Sequence, residues 1–383
     1  MNDLERSDFL RLVEESLGAF KLTVLWGAPR MGKSTLLRLL EWEEENFFDL
    51  EDPMDQAIFE NPGEALGKLR GLVVIDGLHY QADLLPLLLD RAKSWGGPSR
   101  FLVVGRASRE MRKQVASITD PAMNVIELGG LNVGEVGFEN RDRLWWRGGI
   151  PESFMAPTDG ESARFREAFI QTFLRRDLPG QGIDLPAERL RRFLVLTARH
   201  QGQPWNSSAI AKELGVSHPT ARAYLELLTD CGILRQLSPL IPPGSKRMVK
   251  APKVYVRDSG LVHELLGVTG MEGLKSNPLL GLSWESFAME QLVSVLRLRA
   301  DEMFFWRTHG GAEMDVVIER DGRRYGFDFQ TTDEPRVTHS MTIAKADLGL
   351  DSVFLVHPGE RSFSLREGMA VLGYPALAAF VLS

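Results

Sequence analysis

One segment near the start of the chain has the residue types and the spacing needed to enclose a chain of phosphates. It reads Gly27-Ala28-Pro29-Arg30-Met31-Gly32-Lys33-Ser34, is followed by Thr35, and lies between a predicted strand (21–26) and a predicted helix (33–40). Glycines let the backbone wrap closely, successive amides and the helix N-terminus face the phosphates, the lysine reaches the outer phosphates, and the serine hydroxyl binds magnesium. The pattern therefore predicts a site for ATP with Mg²⁺.

A carboxylate follows the next run of β-branched residues. Asp76 ends that predicted strand and is the expected catalytic carboxylate, holding Mg²⁺ together with Ser34. Many ATPases with this loop carry a glutamate directly after the aspartate to polarise the attacking water, and here the position is Gly77. We therefore expect ATP to be bound and hydrolysed slowly or not at all. His79 is a water contact or a structural histidine, and residues 105–108 either sense the γ-phosphate or form a plain turn.

Bulk composition limits the class of protein and the compartment in which this site is expected. The chain has 383 residues, 44% of them hydrophobic and 25% charged, so it is long enough for two to four domains with real cores. Its single cysteine, Cys231, excludes an intramolecular disulfide and a zinc site built on paired cysteines. A charged start without a signal peptide, and no apolar run of membrane-spanning length, predict a cytoplasmic protein with no membrane partner.

Residues 205–230 have the pattern of a helix-turn-helix. A helix from Ser207 to Leu214 is followed by the Gly215 turn and by a second helix that Ser217 caps. The apolar positions of the second helix face a core, and the polar positions near its start are presented to DNA: His218, Thr220 and Arg222. The formal net charge is -7, so phosphate contacts must come from a local basic run, which this chain offers at Lys246, Arg247, Lys250 and Lys253. The alternative is a winged helix that binds protein.

Carboxylates in the last third of the chain are spaced for a metal site. Glu285 lies on a predicted helix, Asp315 on a strand, and Asp328 on the next strand after a hairpin turn at Asp321-Gly322. Converging carboxylates of this kind would hold one or two Mg²⁺ ions for phosphodiester hydrolysis. The water-activating lysine expected two residues after the last acid is replaced by Gln330, so a nuclease-like scaffold without cleavage is the preferred interpretation. Lys345 is the alternative lysine, and Glu313 is the alternative carboxylate.

Several sequence blocks in the same order resemble a known family. They are residues 27–36, 73–76, 147–152, 176–179, 246–255, 258–261 and 284–287. Together they resemble the prokaryotic AAA+ type ATPases fused to a C-terminal domain of unknown function with a restriction-endonuclease-like fold. The resemblance implies ATP binding, a winged helix and a nuclease-like end. Members commonly have Asp-Glu at the Walker B position and an arginine before the strand 125–128, whereas this chain has Asp76-Gly77 and Asp120-Pro121-Ala122-Met123.

These observations combine into one architecture and three hypotheses. The expected fold is α/β, with a P-loop parallel-sheet core (1–155), a helical lid or linker (156–200), a winged helix (201–258) and a PD-(D/E)xK-like α/β domain (259–383). The first hypothesis is a nucleotide-dependent switch or weak ATPase that binds DNA. The alternatives are an ATP-gated, Mg²⁺-dependent DNA nuclease and a non-hydrolysing interaction scaffold, which would work as a homo-oligomer.

Overall fold

The computed structural model describes residues 6–60, 66, 69–94, 100–181, 185–244, 248–332 and 334–382. The chain divides into two compact units. Unit 1 consists of Met1–Gly130 with Glu226–Ile233, and unit 2 consists of Leu131–Leu225 with Leu234–Ser383. In the described parts of the chain, no helix has both the length and the apolar character needed to cross a membrane.

Unit 1 is built on five parallel strands. Its elements in chain order are α1 (Ser7–Ala19), β1 (Leu22–Gly27), α2 (Lys33–Leu39), β2 (Phe47–Asp49), α3 (Pro53–Ile58), β3 (Leu72–Asp76), α4 (Leu84–Ser94), β4 (Arg100–Arg106), α5 (Arg109–Ser117) and β5 (Met123–Glu127). The strands lie side by side in the order β2-β3-β4-β1-β5. Because all five run in one direction, their carboxyl ends and the loops that follow them share one edge of the sheet.

Continuous apolar runs explain why these strands occupy the centre of unit 1. Every residue of β1 is buried, and so are the middle residues of β3 and β4. A parallel strand covered on both faces has no solvent side, so its sequence does not alternate between polar and apolar residues. Helix α4 adds Leu85, Leu88 and Leu89 to the same core.

Unit 2 begins with helices. They are α6 (Val133–Val136), α7 (Arg141–Arg147), α8 (Pro151–Met155), α9 (Asp159–Thr172), which continues into a π-helical turn (Phe173–Asp177), α10 (Ala187–Arg199), α11 (Ser207–Leu214) and α12 (His218–Asp230). The last residues of α12, from Glu226 onward, are assigned to unit 1. Helix α11 has Asn206 as its N-cap and ends at Gly215, whose φ of 71° is in the left-handed region. The Ser217 hydroxyl accepts a hydrogen bond of 3.2 Å from the Thr220 amide at the start of α12, as the predicted cap requires.

The sheet of unit 2 has eight strands in the described residues. The remaining elements are β6 (Leu234–Pro239), β7 (Lys253–Val256), α13 (Ser259–Leu265), α14 (Gly270–Lys275), α15 (Leu280–Leu296), β8 (Met303–Arg307), β9 (Glu313–Arg320), β10 (Arg323–Phe329), α16 (His339–Leu348), β11 (Ser352–His357), β12 (Phe363–Arg366), β13 (Met369–Gly373) and α17 (Tyr374–Leu377). The strand order is β12-β13-β11-β10-β9-β8-β6-β7, with both parallel and antiparallel pairs. The predicted hairpin turn joins β9 to β10, with positive φ at Asp321 and Gly322.

The α/β class and the parallel sheet around the glycine loop are confirmed. The structure separates two compact units where the sequence predicted four segments. Strand β6 pairs with β8 through Ser238 and Phe304, so the large sheet contains residues from both sides of the predicted boundary at 258. The finer four-part division stays a prediction.

Candidate nucleotide site and a buried carboxylate cluster

The glycine loop connects β1 to α2, and the nine residues predicted to bind nucleotide run from the last residue of β1, through the loop, to the first turn of α2. A Cβ atom at Gly27 would come within 2.4 Å of the Leu128 carbonyl oxygen, so only glycine fits at the end of β1. Gly32 precedes α2 with a φ of 90°, and Arg30 has a φ of 60°. The loop therefore turns twice through the left-handed region before the helix begins.

The Lys33 ammonium points back into the loop. Its Nζ donates hydrogen bonds to the carbonyl oxygens of Gly27 at 2.9 Å and Ala28 at 2.8 Å. Burial lowers the pKa of Lys33 to about 7; nearby Asp76 opposes this shift, and Arg106 adds to it. Neutral carbonyls do not compensate the ammonium fully, so an incoming anion would restore its charge.

Two carboxylates lie beside each other at the carboxyl edge of the sheet. Asp49 of β2 is in register with Asp76 of β3. The Asp76 Oδ1 accepts a hydrogen bond of 2.7 Å from the Gly77 amide. Burial raises the pKa of Asp76, as does Asp49, whereas that amide, Lys33 and Arg106 lower it. Asp49 was not among the residues that the sequence predicted, and it brings a second acid to the edge.

Backbone geometry accounts for the glycine after Asp76. Gly77 has a φ of 78°, and a Cβ there would lie 3.3 Å from Tyr80 Cδ2 and 3.4 Å from the Glu51 amide nitrogen. A side chain at positive φ is strained whatever the surrounding space. A glutamate at this position would therefore need a different local backbone.

His79 lies next to the end of β4. Its Nδ1 accepts a hydrogen bond of 3.4 Å from the Arg106 amide, which leaves the proton of the neutral ring on Nε2. Burial, with Arg106 and Lys33 nearby, lowers the pKa of His79 to about 3, so the ring is neutral at physiological pH. The Nε2 atom is buried and has no hydrogen-bond partner within the described part of the chain.

Arg6 supports the glycine loop from a distant part of the sequence. Its Nη1 donates to the carbonyl oxygens of Met31 at 2.5 Å and Gly129 at 2.9 Å, and its Nη2 donates to Gly130 at 3.1 Å. The side chain is only 2% exposed. Arg6 thus ties the loop after β1 to the loop after β5.

In unit 2 the predicted carboxylates gather around a lysine. Lys253 Nζ of β7 lies 3.2 Å from Glu285 Oε1, 2.5 Å from Glu313 Oε1 and 3.3 Å from Asp315 Oδ1. The lysine is 1% exposed. Burial opposes its charge, but Tyr255 and the three acids together hold the pKa of Lys253 well above its ordinary value. We call Lys253, Glu285, Glu313 and Asp315 the carboxylate cluster.

The third predicted metal ligand, Asp328, has a different partner. Its Oδ2 accepts a hydrogen bond from Gln330 Nε2, the amide that stands where a lysine was expected. Burial, with Asp315 adding to it, raises the pKa of Asp328 to about 7, and the same two causes raise the pKa of Glu285 to about 7. Lys345 does not contact the cluster, because its Nζ donates to the carbonyls of Leu350, Asp351 and Gly368.

The residues predicted to contact DNA differ in how exposed they are in the structure. His218 and Arg222 are exposed near the start of α12, Thr220 is half-buried, and the apolar side of the helix is buried through Ala221, Leu225 and Leu228. Lys250 is exposed, and Lys246 and Arg247 lie outside the described residues. The prediction that Lys253 contacts DNA phosphate conflicts with its burial, because its ammonium is enclosed by carboxylates.

Two mycobacterial proteins are similar to this chain over almost all of its length. The uncharacterized proteins Mb2031c of Mycobacterium bovis and Rv2008c of Mycobacterium tuberculosis are each 38% identical over 374 residues, which cover 97% of this chain and 84% of theirs. The chain belongs to their family. Two domain-family models match parts of this chain: a domain of unknown function (DUF8612) at residues 138–272 and a domain of unknown function (DUF4143) at residues 280–377.

A solved structure, the Walker-type ATPase PABY2304 of Pyrococcus abyssi, is also similar. It has 16% sequence identity and a TM-score of 0.45, and the match covers 68% of this chain and 95% of that chain. The C-terminal domain of unknown function that the family resemblance implied is confirmed by the match at 280–377. Its restriction-endonuclease-like fold stays a prediction.

Two of the sequence blocks that carry the family resemblance, 147–152 and 258–261, contact each other. Asp258, from the block 258–261, accepts hydrogen bonds from the Gly149 amide at 2.7 Å and the Leu261 amide at 2.9 Å. It therefore caps α13 and at the same time holds the block 147–152. At Gly260 a Cβ would lie 2.2 Å from the Arg147 carbonyl oxygen. These two blocks are explained by packing and capping.

Proposed function

We propose that this chain binds ATP with Mg²⁺ in the loop after β1 and acts as a nucleotide-dependent switch or weak ATPase that binds DNA. The observation that carries the proposal is the Lys33 ammonium. It donates to two carbonyls of a loop whose glycines are required by geometry, and Asp76 lies on a strand of the same sheet edge. A triphosphate placed there would replace weak carbonyl partners with charged oxygens, which bind an ammonium more strongly.

The side chains present suit a magnesium ion that arrives with the nucleotide. Ser34 is exposed at the start of α2, and Asp76 offers a carboxylate at the end of β3. In the described residues no group of three or more His, Cys, Asp or Glu side chains is arranged to hold a metal ion. Mg²⁺ commonly takes one or two protein oxygens and completes its shell with phosphates and water, so this pair is sufficient. When bound, the ion neutralises phosphate charge.

Hydrolysis is proposed to be slow. The position after Asp76 is held by a glycine at positive φ, so it carries no side chain to polarise water. Asp49, in register with Asp76, is the carboxylate that we propose acts on the attacking water in the residual reaction. Its Oδ1 accepts a hydrogen bond of 2.9 Å from the Glu51 amide, which fixes its orientation.

Calorimetric titration of the full chain with Mg-ATP tests the nucleotide proposal. Replacing Lys33 with alanine removes a charged hydrogen-bond donor, so we expect the affinity to fall about 10- to 100-fold. Lys113→Ala is the matched control, because Lys113 is exposed on α5. If the chain takes up no ATP, or if Lys33→Ala binds as tightly as the wild type, the proposal is wrong.

DNA binding is proposed for α11, α12 and the β6–β7 pair, which we interpret as a winged helix. His218 and Arg222 near the start of α12 are exposed, as is Lys250, and contact with DNA requires this exposure. We expect a salt-dependent DNA shift that Arg222→Glu combined with Lys250→Glu abolishes, as charge reversal at Lys246 and Arg247 also should. Arg164→Glu combined with Lys113→Glu carries the same change of charge at exposed positions of α9 and α5, and it should leave the shift intact. A shift that ignores salt and all of these changes would favour a protein-binding module.

The nuclease alternative depends on metal at Glu285, Asp315 and Asp328. Cleavage of plasmid DNA that is lost on Asp315→Ala would support it. The presence of the Lys253 ammonium between two of these acids, Glu285 and Asp315, argues against a metal there.

A further inference from the structure

The carboxylate cluster offers one carboxylate acceptor for each N–H donor of a lysine ammonium. A lysine ammonium has three N–H donors and no acceptor. Lys253 Nζ has three carboxylate partners within 3.3 Å, and they come from α15 and β9. Each donor therefore has its own acid, which is the condition under which a buried charge is tolerated.

The oxygens of the cluster have further donors of their own. The Tyr255 hydroxyl donates to Glu285 Oε1 at 2.6 Å, and the Phe329 amide donates to Asp315 Oδ2 at 3.1 Å. Arg307 Nη1 lies 3.4 Å from Glu313 Oε2. These contacts orient the acids toward Lys253 and occupy lone pairs that a metal would need.

Backbone pairing holds the lysine in this position. Lys253 begins β7 and is in register with Leu237 of β6, and its Nζ lies 5.7 Å from the centre of the Phe305 ring of β8. A divalent ion bound by the same oxygens would need distances of about 2.1 Å to them. It would then stand close to the ammonium, and the two positive charges would repel each other. Occupation by lysine and occupation by metal are thus mutually exclusive.

We propose that Lys253 takes the place of a divalent cation in the carboxylate cluster, so that its ammonium occupies the position between the acids and excludes a metal ion. The cluster then joins β7, β9 and α15 by ion pairs and does not supply a hydrolytic metal site. The proposal is independent of nucleotide binding in unit 1.

Manganese titration followed by electron paramagnetic resonance tests the proposal on the full, EDTA-treated chain without nucleotide. The wild type should bind no Mn²⁺ at the cluster. Lys253→Ala leaves the acids facing a space without a cation, and we expect its Mn²⁺ affinity to exceed that of the wild type at least about tenfold. Adding Asp315→Ala to that variant should abolish the gain. Lys250→Ala, which removes an exposed lysine three residues away, should behave as the wild type does.

Thermal unfolding provides the second readout, because loss of Lys253 leaves the acids without their cation. Mn²⁺ should raise the melting temperature of Lys253→Ala and of the bulkier Lys253→Met, and it should leave that of the wild type unchanged. Wild-type protein that binds Mn²⁺ in a manner dependent on Asp315 would overturn the proposal. So would variants at Lys253 that neither bind Mn²⁺ nor are stabilised by it.

Discussion

Binding of ATP is expected to draw a proton from solution when the pH is above 7. In the nucleotide-free chain, burial lowers the pKa of Lys33 to about 7. At pH 8 about nine-tenths of the side chains are then unprotonated. A bound triphosphate brings several negative charges to the ammonium and raises its pKa again, so each ATP should take up about 0.9 proton at pH 8. The affinity should fall by up to about tenfold for each pH unit above 7.

The same pKa shift of Lys33 predicts how the stability of the protein without nucleotide changes with pH. The pKa of Lys33 is lower in the folded chain than the ordinary value of 10.5. The unfolded chain therefore binds more protons between pH 7 and 10.5, and the contribution of Lys33 to the free energy of unfolding increases over that range. A rise in pH above 7 thus increases the contribution of Lys33 to stability and lowers the affinity for ATP. A loss of affinity caused by general unfolding would not show this opposition.

Titration calorimetry at pH 8 in two buffers of different ionisation enthalpy measures the proton uptake directly. Phosphate groups, with a second pKa of about 6, are already ionised at that pH. Lys33→Arg is the matched variant, since a guanidinium does not titrate in proteins, and its binding enthalpy should not depend on the buffer. ATP binding by the wild type without any buffer dependence, or equal proton uptake by Lys33→Arg, would refute the reasoning.

Three further substitutions have outcomes fixed by the structure. Gly27→Ala should abolish tight ATP binding and destabilise the chain by about 1–3 kcal/mol through its clash with a carbonyl oxygen, while Gly129→Ala, which has open space, should change neither; chemical denaturation and calorimetry compare the two. Gly77→Glu should lower the free energy of unfolding by about 1–2 kcal/mol without faster phosphate release, because its backbone has positive φ. Lys253→Met should cost about 3–5 kcal/mol in urea unfolding, and Lys250→Met close to nothing.

Local patterns of sequence were sufficient to predict the glycine loop. Its residues, the strand before it and the helix after it are contiguous, so type and spacing carry the whole signal. Asp49 was missed because β2 is only three residues long and has no periodicity to detect. Arg6 was missed because its partners, Met31 and Gly129, lie 25 and 123 residues away in the chain. Contacts over such separations depend on the completed sheet.

Lys253 shows how a correct local observation led to a wrong interpretation. Its place in a basic run predicted contact with DNA phosphate, but the run ends where β7 begins. Lys253 and Tyr255 are two residues apart and share one face of that strand, which was the available signal for an inward-facing lysine. The acids that they meet come from β9, which is three strands away in the order β9-β8-β6-β7, and from helix α15, and neither arrangement can be read from residue spacing.

Lys33, which is half-buried, and Lys253, which is buried, differ in the number of acids around them, and this difference separates a ligand site from a structural one. Lys33 donates to two neutral carbonyls, and the pKa shift to about 7 means that its charge is not compensated. Lys253 has three carboxylate partners, and the pKa of its ammonium is raised. An anion that approaches Lys33 gains by restoring a charge, whereas one that approaches Lys253 would have to displace acids already bound to it. A phosphate ligand is therefore expected at Lys33 alone of these two lysines.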